Sequence, residues 1–415
     1  MTLSEELSWR GFVNQTTLKD IAELDNEKRT FYWGVDPSSD SMQIGNLAAA
    51  MMARHFINHG YKAILLVGGA TGMIGDPDGK DEERMLKPLE EVAKNKAGIA
   101  AQYKRVFSGQ EFEIVDNFDW FKGIGYLEFL RSVGKHVPMR QMLGREFVQS
   151  RLQEDGNGIS YAEFSYSLIQ GYDFLHLFKV KQATLQICGA DQWGNSIAGV
   201  DLIRRIAGGE AHVWSTPLII NRATGKKFGK TEDGAVWLDE HKTSVYKFYQ
   251  FWLNADDAGV EDYLKVYTIL KRGELIDIME KFHARPGERL AQKTLAYEVT
   301  KLVHGADRAD AVKRVSDTLF GSGDYKNLDS KDFKILETEL PATNAKPDET
   351  TLIATLVKTG LAASNSEARR HIESSAVYIN GEQLSINKTV FSSEDILHGH
   401  AVLRVGKNKN ALIRF

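Results

Sequence analysis

Hydrophobic and polar positions change their spacing along the chain in a regular order. Short β-branched or apolar runs at Thr30 to Val35, Ala63 to Val67, Glu111 to Val115, Thr184 to Cys188 and Trp214 to Asn221 have strand character. Between them lie helix-forming stretches at Leu47 to Phe56, Leu86 to Val106, Tyr161 to Phe178 and Ser196 to Ile206. This alternation predicts an α/β fold on a parallel sheet. Two further helices, Tyr126 to His136 and Gln141 to Leu152, interrupt it, and their apolar faces suit internal packing or a partner subunit. Ser8 to Asn14 reads as a short helix with Trp9, Phe12 and Val13 near one face.

Three of the strands empty into polar, glycine-bearing loops. Thr30 to Val35 runs into Asp36-Pro37-Ser38-Ser39-Asp40, a turn by composition, and Gly45-Asn46 opens the next helix. A helix start carries unpaired N–H groups suited to an anion, and a glycine there lets a ligand approach the backbone. Ala63 to Val67 leads into Gly68-Gly69-Ala70-Thr71-Gly72-Met73-Ile74-Gly75-Asp76. That glycine spacing misses the dinucleotide fingerprint, and Gly75 to Lys80 misses the P-loop by one residue. Tight turns alone account for the glycines; Asp76, Lys80 and Arg84 are then either solvated or functional. Thr184 to Cys188 ends in Gly189-Ala190-Asp191-Gln192-Trp193-Gly194-Asn195, where Asp191 suits ribose hydroxyls.

Within Tyr161 to Phe178, Tyr166, Gln170 and Asp173 share a stripe about 60° wide on an otherwise apolar helix. If buried they need partners, either one another or a small ligand bearing an ammonium or hydroxyl group. His55 and His59 lie four apart without a metalloprotease glutamate and read as surface histidines. Gly225 to Thr231 reads G-x-x-x-G-K-T, an exposed basic loop or one that closes on a polyphosphate.

From Ser244 to about Gly321 the spacing is helical; from there to about Thr350 it is lost, which predicts a linker. A small unit follows, with helices at Thr351 to Leu361 and Ser366 to Glu373 and a hairpin signal at Asn380-Gly381. Arg369, Arg370, Lys388, Arg404, Lys407, Lys409 and Arg414 give it a mild basic excess. The whole chain of 415 residues carries a formal charge of −4, so a nucleic acid must be met by a local basic face. A single cysteine, Cys188, excludes an internal disulfide and argues against a cysteine-built zinc site. With no signal-like N-terminus and no apolar run long enough to span a bilayer, a cytoplasmic protein is expected.

Taken in order, these segments resemble the bacterial-type tyrosyl-tRNA synthetases, class I enzymes, along essentially the whole chain. Tyr32-x-Gly34-x-Asp36-Pro37-x-x-Asp40-Ser41 through Gly45-Asn46-Leu47 is similar to that family's first nucleotide signature. Lys227-Phe228-Gly229-Lys230-Thr231 is similar to its mobile lysine loop. Val67 to Gly72, Tyr166 to Asp173 and Gly189 to Asn195 also match family segments, and the tail resembles the small RNA-binding module that ends these enzymes. The resemblance implies a Rossmann-like catalytic domain (1–220) with a helical dimer-forming insertion around 122–160. It further implies an α-helical domain (221–320), a linker (321–350) and a small α+β RNA-binding domain (351–415).

It also implies tyrosine activation by ATP and transfer to tRNA(Tyr), with Mg²⁺ assisting and no protein-bound metal. Tyr32 and Asp173 would hold the substrate phenol, and Asp76, Tyr166 and Gln170 its ammonium, with Gln186 nearby. Asp36, Ser38, Gly45, Asp191, Gln192 and Lys230 would contact ATP. Gln43, Asn46, Lys80, Arg84, Lys227, Lys230 and Thr231 would serve the activation chemistry, and Arg204, Arg205, Arg369, Arg370, Lys407 and Lys409 the tRNA. Two positions depart from the family: Gln43 and Asn46 stand where histidines are usual, and neither amide carries charge. Trp33 stands where a small residue beside the ribose is common. A non-catalytic RNA-binding relative and a tryptophan-specific relative are the competing expectations.

Overall fold

A computed structural model describes residues 1–77, 86–153, 156–222, 224–231, 234–321, 323–407 and 409–415, with backbone alone at 146, 147, 230 and 231. The chain divides into two units, Met1–Thr243 with Ala255–Leu295, and Ser244–Asn254 with Ala296–Phe415.

The first unit is built on strands β1 (Gln15–Thr16), β2 (Thr30–Val35), β3 (Lys62–Val67), β4 (Glu113–Asp116), β5 (Ala183–Gly189) and β6 (His212–Thr216). Their order is β1-β6-β5-β2-β3-β4, parallel throughout except for β1 on β6. The chain proceeds from β2 to β3 on one side and reaches β5 on the other. The order therefore reverses beside β2, and the carboxyl ends of β2 and β5 diverge into a crevice suited to ligands.

Alternate residues of β2 face opposite layers. Tyr32 packs on Phe174 of the Tyr161–Lys181 helix (centroids 5.1 Å apart), whereas Trp33 packs on Tyr103 of the Leu89–Val106 helix (5.4 Å). The Ile44–Asn58 helix is buried along most of its length, its alanines allowing close approach. Among the described residues no helix is long and apolar enough to cross a membrane.

Several expectations are corrected. The N-terminal helix is Leu3–Arg10, not Ser8 to Asn14, because Gly11 ends it in a left-handed turn (φ 82°). The strand after His212 stops at Thr216, before Pro217. His55 is buried rather than a surface group, and with His59 it faces Glu6, at 3.2 and 2.7 Å. Arg10 joins them at 3.0 Å from Glu6 and also donates to the carbonyls of Lys265, Thr268 and Leu270. A carboxylate arriving from another helix is invisible to the local spacing of the histidines.

The expected boundaries around 221–320 and 321–350 also differ from the observed division. Residues through Thr243 belong with the parallel sheet because backbone bonds return them to it: Ile44 N–H donates to Val236 O, and Leu238 N–H to Met42 O. The expected linker contains the Ser330–Glu339 helix and the strand Ala342–Asn344. Asp329 caps that helix, which buries Phe333 and Leu336, and the strand pairs in parallel with Lys409–Arg414. Both elements are short and lie between glycine- and proline-bearing stretches, so their periodicity is weak in sequence.

In the second unit the strand order is Glu382–Gln383, Val377–Ile379, His400–Val405, Lys409–Arg414, Ala342–Asn344. Asn380 and Gly381 form the hairpin turn, both at positive φ. Glu337 receives His400 (3.1 Å) and Arg414 (2.9 Å), which pins the Ser330–Glu339 helix to the sheet.

Candidate active site

At the carboxyl ends of β2, β3 and β5 the first unit opens into a cleft of about 440 Å³. Tyr32 and Gln186 are register partners on β2 and β5, so their side chains project to the same face. Tyr166, Gln170 and Asp173 face them along one stripe of the Tyr161–Lys181 helix. The hydroxyl of Tyr32 and the amide oxygens of Gln170 and Gln186 are buried without a partner among the described residues. So is the hydroxyl of Thr216, at the end of β6, which nothing in the sequence marked. Each such atom costs roughly 1–3 kcal/mol if left unpaired. Together they describe a chamber complementary to a small polar molecule.

Asp173 is held from both sides. Asn117 donates to one carboxylate oxygen (3.0 Å) and the indole of Trp120 to the other (2.9 Å). Asn117 is itself pinned by the Ala70 N–H (2.6 Å) and donates to Thr71 (3.0 Å). Burial still pushes the Asp173 carboxyl well above the usual range, with Asp36 and Asp116 adding to the effect. Burial, and then Asp173, likewise push the Tyr32 phenol up, so Tyr32 stays a neutral donor. Asn117 sits at the β4 strand end, a positional cue; Trp120 carried no cue at all.

The second half of the cleft is built around the start of the Ile44–Asn58 helix. A Cβ added at Gly45 would meet nothing within 4 Å, so that backbone lies open. Asn46 accepts the Gln43 N–H at 3.0 Å, leaving its amide NH₂ as a fixed neutral donor. Asp36 accepts from Thr71 (2.6 Å) and from Tyr166 (2.7 Å). Gly68 makes room for this carboxylate, since a Cβ there would lie 2.1 Å from Asp36 Oδ1. Gln192 donates to Asp76 at 2.6 Å, and Asp191 lies exposed just beyond β5. Ser38, Gln43 and Lys227 complete the polar lining.

The lysine loop is sewn to this helix start. Phe228 stacks on Tyr263 (4.1 Å), and Gly229, at φ 95°, comes so close to Ile44 that a Cβ would lie 3.1 Å from it. The backbone of Lys230–Thr231 pairs antiparallel with Gly234–Ala235. Lys80 and Arg84 lie outside the described residues. Among the described residues no three acidic, histidine or cysteine side chains converge on a metal position.

Arg204 and Arg205, expected to meet tRNA, are not among the residues lining the cleft. Arg204 pairs with Asp201 (2.6 Å), and Arg205 donates to the His136 carbonyl (2.7 Å). Arg369, Arg370, Lys407 and Lys409 are exposed on the second unit. The N–H of Ala363, with the charges of His371, Arg370 and Lys409, holds Glu367 below the usual carboxylate range, so Arg370 and Lys409 share one neighbourhood.

Comparison with known proteins gives the same frame. Residues 24–321 match the family described as tRNA synthetases class I (W and Y), and residues 332–413 match the Tyrosine–tRNA ligase SYY-like C-terminal domain. Tyrosine–tRNA ligase of Geobacillus kaustophilus (strain HTA426) is 44% identical over all of both chains. That of Geobacillus stearothermophilus is 43% identical, again over all of both. Among solved structures, a C-terminally truncated mitochondrial tyrosyl-tRNA synthetase of Aspergillus nidulans superposes with a TM-score of 0.70 at 31% identity. That superposition covers 77% of this chain and 94% of the other. Full-length likeness at this identity, over a strand-end cleft of this kind, places the chain in the tyrosyl-tRNA synthetase family of class I tyrosine–tRNA ligases.

Proposed function

We propose that the cleft binds L-tyrosine beside Asp173 and ATP at the start of the Ile44–Asn58 helix, and joins them as tyrosyl-adenylate. The observation that carries this is the set of unpartnered buried atoms of Tyr32, Gln170 and Gln186 around one chamber with Asp173. Tyr32 and Asp173 pair the phenol. Tyr166 spends its proton on Asp36, so its oxygen accepts from the substrate ammonium together with Asp76 and Gln170. A site built to pair a buried hydroxyl rejects the analogue lacking it, for which this family is itself the standard illustration.

Gly45, Asn46, Asp36, Asp191 and Gln192 hold the nucleoside, and Ser38, Gln43, Lys80, Arg84, Lys227, Lys230 and Thr231 surround the polyphosphate. An oxygen of the tyrosine carboxylate attacks the α-phosphorus; the bond to the β-phosphate breaks and pyrophosphate leaves with its electron pair. A terminal ribose hydroxyl of tRNA(Tyr) then attacks the activated carbonyl and AMP departs. No protein nucleophile is needed: catalysis is alignment and stabilisation of charge on the phosphates. Magnesium enters as part of the MgATP substrate, neutralising that charge.

Arg204, Arg205, Arg369, Arg370, Lys407 and Lys409 are the proposed tRNA contacts. The protein works in the cytoplasm as a homodimer. Exposed Tyr126 (62%), Leu127 (78%) and Met139 (57%) in the helical insertion support self-association.

The test is tyrosine-dependent exchange of labelled pyrophosphate into ATP, comparing tyrosine, phenylalanine and tryptophan. Exchange with tyrosine alone is expected. Because Gln43 and Asn46 replace the usual histidines, a second reading is a folded relative that binds tRNA without activating an amino acid. Absence of exchange with all three substrates from protein that still binds tRNA would establish that reading instead.

A further inference from the structure

We infer that His176 is a positioning residue for amino-acid recognition: its imidazole backs the indole of Trp120 and thereby aims Asp173 at the substrate. The inference rests on the assignment of Asp173 to the substrate hydroxyl. Asp173 and His176 are three residues apart on one helix and share a face. Trp120 belongs to the four-residue helix Phe118–Phe121, which buries none of its own residues. Such a short element cannot hold an indole by itself.

The two donors to Asp173 are anchored unequally. Asn117 is tied to Ala70 and Thr71 at the end of β3. Trp120 spends its only polar atom on Asp173; its indole packs against the apolar core and is stacked by the ring of His176, with centroids 4.5 Å apart and planes 18° from parallel. Tyr172 closes the group, packing on Phe121 (5.4 Å), Phe129 (5.9 Å) and His176 (6.2 Å). The ring nitrogens of His176 make no hydrogen bond to any described residue, so its flat face is what it contributes. Burial and the Lys179 ammonium lower its pKa, keeping the ring neutral near pH 7.

Without that face the indole tilts, Asp173 Oδ1 loses its donor, and the carboxylate turns away from the phenol. Neither histidine spacing nor a metal motif marked this residue, and the activation chemistry does not use it.

Steady-state pyrophosphate exchange on His176→Ala tests the proposal. The KM for tyrosine should rise roughly three- to tenfold, with kcat and the KM for ATP unchanged. The preference for tyrosine over phenylalanine should fall by the same factor. His176→Phe keeps a flat ring and should restore both values, and a thermal melt checks that each variant is folded. An unchanged tyrosine KM in His176→Ala overturns the proposal, as does a loss that His176→Phe does not restore or a parallel rise in the ATP KM. Asp173→Asn, measured alongside, separates the two levels. If it keeps full tyrosine preference, the role of Asp173 falls and this proposal with it. If it loses that preference while His176→Ala does not, only the role of His176 falls.

Discussion

Tyr166 donates its phenol proton to Asp36 over 2.7 Å, and this bond ties the half of the cleft proposed for the amino acid to the half proposed for the nucleotide. One residue sits on the Tyr161–Lys181 helix and the other just past β2. Burial, with Asp36 and Asp76 close by, pushes the Tyr166 phenol up, so the bond persists across the working pH range. Tyr166→Phe should therefore raise the KM for tyrosine and for ATP together, each roughly tenfold. Pyrophosphate exchange with each substrate varied in turn checks this; a change confined to one substrate would contradict the link.

Tyr32 offers a prediction of opposite signs. Its hydroxyl is buried and has no partner among the described residues, so Tyr32→Phe should leave stability unchanged or raise it by about 1 kcal/mol. The same change should cut the preference for tyrosine over phenylalanine by roughly ten- to a hundredfold. A melting curve and a competition assay read the two effects separately. A destabilised variant with full preference would reverse both expectations.

Lys227 lines the cleft in a loop whose backbone bonds run through Val236 to Ile44, at the helix start proposed to face the phosphates. Lys227→Ala and Lys230→Ala should each slow adenylate formation by roughly a hundredfold while leaving tyrosine binding unaltered. Stopped-flow fluorescence for the rate and equilibrium dialysis for tyrosine are the measurements. Equal weakening of both would remove these lysines from the transition state.

The Glu6 cluster predicts a pH-dependent stability. Burial pushes its carboxyl up, but hydrogen bonds from His55, His59 and Arg10 together outweigh that and hold it far below the usual value of 4.5. A depressed acid contributes stability above its unfolded pKa and loses it as pH falls toward the folded one. Glu6→Gln should therefore cost about 2 kcal/mol near pH 7, and its deficit should narrow progressively below pH 4.5. Burial also lowers the pKa of His55, so acidification below 6.5 favours the unfolded chain on this account. Urea melts of both proteins from pH 3 to 8 decide it.

Among the described residues of the 122–160 insertion, Leu127 is the most exposed large apolar side chain, at 78%. In sedimentation velocity the unaltered protein is expected to run as the proposed homodimer and Leu127→Asp as a monomer, without a lowered melting temperature of the monomer. An unaltered association state would move the self-contact elsewhere.

Much of the catalytic unit is determined by the sequence alone. Strand and helix positions around the sheet follow from near-neighbour spacing, and the loops after β2, β3 and β5 announce themselves by glycine, proline and aspartate. The stripe of Tyr166, Gln170 and Asp173 was readable because helical periodicity is local, and all three line the cleft. What each of these groups bonds to was decided only by the tertiary structure. Tyr166 meets Asp36 across 130 positions of chain, Gln192 meets Asp76, and Asn117 and Trp120 converge on Asp173. His55 and His59 looked exposed until Glu6 arrived from another helix, and the Ser330–Glu339 helix looked like linker until its sheet gathered around it. Local chemistry sets which way a side chain points and how a turn closes. Strand order sets which side chains then meet, and β2 lies between β3 and β5 for reasons spread over the whole sheet.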